Sequence, residues 1–118
     1  MAAMGIADYI DTLLYELERT EPVSFDLGTP EPLQTESSAQ LIAIGVRAVP
    51  FLAQQIENAP SNRRAAYIAL ALHRIGDPQA LPLLIDLLAH YRRIEHPSPW
   101  DLAVIGQCTL AIARLRHE

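Results

Sequence analysis

Leu70-Ala71-Leu72-His73-Arg74-Ile75-Gly76-Asp77-Pro78-Gln79-Ala80-Leu81-Pro82-Leu83-Leu84 is the stretch that decides the fold. It holds the end of one helix and the start of the next. The apolar run leading into it, Ala65 to Leu72, is rich in Ala and Leu, which lose little side-chain freedom in a helix. Gly76 supplies the residue that commonly closes a helix in the left-handed region. Asp77 offers a side-chain oxygen to the free N–H groups of the next helix, and Pro78 stands where a missing N–H costs little. The stretch predicts a helix over about 62–75, a tight corner, and a second helix running to about Arg92.

The same signs recur on both sides. Ile6, Ile10, Leu13, Leu14 and Leu17 form one apolar stripe, which predicts a first helix near 4–19, stopped by Pro22. Val23, Phe25 and Leu27 alternate with polar residues, as in an extended piece laid over a core. A helix over roughly 33–44 is led by Thr35 or by an earlier start at Thr29-Pro30, and Gly45 ends it. Another covers about 48–57, with Pro50 in its first turn. Ser61 is placed to cap the helix over 62–75. Ser98-Pro99-Trp100-Asp101 combines a capping Ser, Pro at the first helical position and an acid two further on, and opens a last helix that runs almost to the end.

Two of these corners repeat. Ile44-Gly45-Val46-Arg47-Ala48-Val49-Pro50-Phe51-Leu52 matches Ile75 to Leu84 with one residue inserted. Leu70-Ala71-Leu72-His73-Arg74-Ile75 recurs as Leu110-Ala111-Ile112-Ala113-Arg114-Leu115, 40 residues on. A period of this size built from helix pairs is the mark of a solenoid, in which neighbouring pairs bury one another's apolar faces.

The run Ala69 to Leu88, centred on Arg74-Ile75-Gly76-Asp77-Pro78, resembles the HEAT-like repeat named from phycobilin lyase subunits. The likeness is good over 62–92, fair over 39–57 and partial over 99–116. It implies an all-α solenoid, a right-handed superhelix of about six helices in a single domain spanning 1–118. Within it, 1–32 is an N-terminal helix and loop, 33–57 a first repeat, 61–92 a second, and 98–118 a terminal half-repeat. The resemblance also implies a small non-catalytic scaffold or adaptor that binds another protein or a second copy of itself. An accessory enzyme or chaperone in bilin chromophore attachment or removal is the alternative, although such relatives are longer.

Composition narrows the other classes. The chain has 118 residues, a formal net charge of −5, a single cysteine and no lysine among its nine cationic residues. One Cys forms no internal disulfide and no Cys-x-x-Cys zinc site, and no phosphate-binding loop or hydrolase motif occurs. The acidic total argues against nucleic acid. The longest unbroken apolar stretch is the eight residues Ala65–Leu72, so no membrane span is expected. The start of the chain lacks a basic region and a long apolar core, so a cytoplasmic location is expected. No cofactor, metal or catalytic group is expected. Cys108 reads as a small buried hydrophobe, and Asp8 and Asp11 as solvated acids on an open face.

Three surfaces are candidates for binding. In such repeats the second helix of each pair lines a concave face, which implies a stripe of Phe51, Gln54, Asn58, Leu83, Asp86 and His90. Alternating helix directions bring Arg63, Arg64, Arg92, Arg93, His96 and Trp100 to one edge, where two helix N-termini favour an anion. The last helix is apolar on two sides. One side, with Cys108, faces the preceding helices. The other, Leu102, Ala103, Gly106, Leu110 and Ala113, awaits a second copy or a partner.

Overall fold

The computed structural model describes residues 5–19, 25–26, 29–30, 35–58 and 60–116. The helices fall in the order α1 (Ile6–Glu18), α2 (Glu36–Ile44), α3 (Val49–Glu57), α4 (Asn62–Ile75), α5 (Leu81–Arg92) and α6 (Pro99–Arg116). Single 3-10 turns at Gly45–Ala48 and Pro78–Ala80 lead directly into α3 and α5. Because the first of these follows α2 without a gap, Glu36–Glu57 counts as one segment, although Gly45 turns the chain within it, and five such segments replace the expected six. Phe25–Asp26 pairs antiparallel with Thr29–Pro30, a contact too short to add a sheet layer to an all-α fold. Thr29–Pro30 lies against α6. Pro22, Val23 and Leu27 lie outside the described residues.

The caps explain the boundaries. Thr35, not Thr29, opens α2: its hydroxyl accepts from the Ser38 N–H, and the Ser38 hydroxyl accepts from the Thr35 N–H at 2.8 Å. Ser61 accepts from the Arg64 N–H and Asp77 from the Gln79 N–H. Ser98 and Asp101 cap α6 reciprocally, Asp101 accepting from the Ser98 N–H at 2.9 Å and Ser98 from the Asp101 N–H at 3.3 Å. Gly45 and Gly76 sit at φ of 74° and 77°, a region open to glycine at little cost. At Gly76 a Cβ would also come within 3.2 Å of the Arg114 guanidinium.

Helix directions follow from side-chain contacts. The Tyr9 hydroxyl donates to Gln40 and the Ser37 hydroxyl to Glu16, so α1 runs antiparallel to α2. Asn62 at the head of α4 donates to Ser98 and Asp101, and Arg114 near the end of α6 donates to the His73 carbonyl. Helices α4 and α6 are therefore parallel, and among the described elements they pack together most extensively. The core lies between α1, α4, α5 and α6. Ile10, Leu14, Leu17, Ile68, Leu72, Leu84, Val104 and Cys108 are shut off from solvent there, and α2 and α3 add Leu41 and Leu52. The radius of gyration, 13.6 Å, equals the roughly 13.5 Å of a compact globule of this length.

The apolar run Glu36–Glu57 is, by length and composition alone, long enough to cross a membrane, with a mean hydropathy of 1.2 over its best window. The unbroken-stretch criterion overlooks it, since a window average tolerates the scattered Gln40, Arg47 and Gln54.

Candidate functional site

The structure divides the predicted Arg edge. Asn62, Arg63 and Trp100 do meet where α4 and α6 begin: the Arg63 guanidinium lies 4.9 Å from the Trp100 ring centre, and Tyr67 packs on the same indole at 6.2 Å. Arg64 does not join them at Trp100. It holds Asp11 at 2.7 Å and Glu18 at 2.7 Å, and donates to Gln55 at 2.9 Å. Burial works against the Arg64 charge, but hydrogen bonds to Glu18 and Asp11 outweigh it and hold its pKa above the usual value. With both carboxylates already on it, Arg64 is no anion ligand, which corrects the six-residue edge. Arg92, Arg93 and His96 are exposed at the end of α5 and in the loop after it. Adjacent residues on a helix point about 100° apart, so Arg92 and Arg93 do not form one fork.

Asp11 is exposed, as expected, and in addition pairs with Arg64 of α4. Asp11 and Glu18 stand seven residues apart on one face of α1. That spacing, with the acids gathered in the first half of the chain and the Arg residues in the second, was the legible sign of a long-range pairing. The Ser61 hydroxyl donates to the Glu18 carboxylate and the Arg63 guanidinium to the Glu18 backbone carbonyl, so the end of α1 is fastened to the start of α4.

The concave stripe separates into two kinds of residue. Phe51 and Leu83 are half-buried and pack on the core. Gln54, Asn58, Asp86 and His90 are exposed. Asp86 and His90, one turn apart on α5, form the rim of a cleft of about 220 Å3 whose other walls are Ile56, Pro60, Leu87 and Tyr91. The Tyr91 ring meets the edge of the His90 imidazole at 5.4 Å. Burial, followed by the neighbouring Asp101 and Cys108, raises the Tyr91 pKa, so the phenol stays neutral. Pro60 separates this cleft from a polar hollow lined by Gln55, Asn58 and the Arg64 cluster.

On α6 the two faces differ as the wheel predicts, with one correction. Val104, Cys108, Ala111, Ile112 and Leu115 are buried. On the opposite face Leu102 and Leu110 are 41% and 55% exposed, and Gly106 and Ala113 are open. Ala103 is 3% exposed, because it lies at the border of the stripe, on the flank of the helix that is buried. A Cβ at Gly106 would meet nothing within 4 Å. Burial pushes the Cys108 thiol up to about 12, which makes it inert as a nucleophile at neutral pH.

Sequence reasoning missed the groups around the end of α4. Arg114 reaches the His73 carbonyl there. Arg74, which precedes it by 40 residues, lies beside Ile42 and Ala43 at the end of α2. The 40-residue offset of these two Arg residues, the same as that between Leu70 and Leu110, was the available signal. The His73 Nδ1 atom is buried with no hydrogen-bond partner, and burial, then Arg114 and Arg74, lower its pKa. Among the described residues no group of three or more His, Cys, Asp or Glu stands close enough to hold a metal ion. No family model, curated protein or solved structure matches the chain.

Proposed function

We propose that this chain is a small helical-repeat interaction module of the HEAT-like kind, and that the outer face of α6 is where a further helix stacks. The observation that carries the reading is an equivalence across the 40-residue repeat. Leu102, Gly106, Leu110 and Ala113 correspond to Asn62, Ala66, Leu70 and His73 on α4. On α4 that stripe is covered: Asn62 bonds α6 directly, and Ala66 and Leu70 are 0% and 6% exposed. On α6 the same positions are open. The parallel course of α4 and α6 and the matching places of Arg74 and Arg114 fit stacked repeat units, with α6 as a half-repeat whose outer face is open among the described residues.

Gly106 adds to this. Glycine inside a helix costs roughly 1 kcal/mol relative to alanine, and among the described residues a Cβ there would meet nothing within 4 Å. A closely approaching helix would account for it. Leu110→Glu places a charge on the open face without touching the core. Co-purification and sedimentation of wild type and variant test the reading. A protein retained by wild type and lost by the variant, or a self-associated wild type that becomes monomeric, supports it; identical behaviour of the two chains overturns it.

A further inference from the structure

The cleft between α3 and α5 is a different surface from the face of α6, and its chemistry is more specific. Ile56, Pro60 and Leu87 supply aliphatic walls, Tyr91 a neutral aromatic face, and Asp86 a carboxylate at the mouth. Asp86 is exposed and has no ion-pair partner among the described residues. The nearest hollow, beyond Pro60, offers no spare positive charge, since Arg64 is held by Asp11 and Glu18. A carboxylate beside an aromatic face and an aliphatic trough suits a cation carried on a methylene stem. The volume, about 220 Å3, suits one long side chain rather than a cofactor, which needs roughly 300 Å3 or more.

We propose that this cleft receives a lysine or arginine side chain presented by a partner polypeptide. The stem lies along Ile56, Pro60 and Leu87, and the charged head reaches Asp86 past Tyr91. Arg93 lies two turns beyond Asp86 on the same side of α5 and is the charge that opposes the ligand.

The test is an amide-resolved NMR titration of the full chain with four capped tripeptides, Ala-X-Ala, in which X is Arg, Lys, Glu or norleucine. The expected result is saturable shifts at Ile56, Leu87 and Tyr91 with the Arg or Lys peptide. The Asp86→Asn variant should bind about two- to fivefold more weakly, the range of an exposed ion pair. Arg93→Ala should bind more tightly. Both positions are exposed, so both variants fold. Absence of a saturable response up to solubility, or equal binding of the Glu or norleucine peptide, overturns the proposal. Neither outcome bears on the face of α6, which Leu110→Glu tests separately.

Discussion

Arg64 shows how one side chain ties distant parts of the chain together. Its guanidinium is satisfied by Asp11, Glu18 and Gln55, on two other helices. Arg64→Ala leaves Glu18, which is only partly exposed, without its cation. The expected cost is about 1–2 kcal/mol, read from the urea midpoint. A loss below ~0.3 kcal/mol would show that the pair is no better than solvated. Cys108 gives a second residue-level test. With its thiol raised to about 12 by burial, native protein should leave a thiol-specific disulfide reagent unreacted over hours, and denatured protein should consume one equivalent at once. Burial of Cys108 was legible from the helix wheel. The partners of Arg64 were not, because a wheel shows which side a residue faces but not which helix comes to meet it.

At the scale of the element, the corner between α4 and α5 and the capped helix starts were legible. A capping side chain, a proline in the first turn and a glycine after the last are local chemistry, so Thr35, Ser61, Asp77 and Ser98 act where the sequence places them. The boundary between α2 and α3 was less clear, since a 3-10 turn continues the hydrogen bonding that a glycine usually ends. Two glycines separate local from tertiary demand. Gly76→Ala forces a left-handed Cβ against Arg114 and should lose about 1–2 kcal/mol. Gly106→Ala meets open space and should raise monomer stability by up to about 1 kcal/mol. If α6 docks a helix as proposed, the same variant weakens association, so stability and binding move in opposite directions. Thermal melts beside sedimentation runs measure both.

At the scale of the whole molecule, α4 and α6 come together along their length, with the partly buried His73 of α4 beside Arg114 of α6. Burial of the imidazole, then the charges of Arg114 and Arg74, favour its neutral form. The folded pKa is therefore below the unfolded one, and between the two the unfolded chain binds more protons. The contribution is complete above about pH 6.5 and is lost as the pH falls below it. Denaturant midpoints taken from pH 8 to pH 5 should decline over that window. In His73→Gln the decline should be shallower; an unchanged slope would remove His73 as its source.

The sequence by itself determined the helices, their caps, the buried stripe of each and the offset at which the repeat recurs. These follow from periodicity and from bonds between neighbours in the chain. Only the tertiary structure decided which charges are spoken for, that Asp86 and His90 flank a cleft, and that Leu102 and Leu110 remain uncovered while Ala103 does not. Those facts depend on how helices far apart in sequence approach one another, and each approach is set by the summed fit of many side chains rather than by any local run.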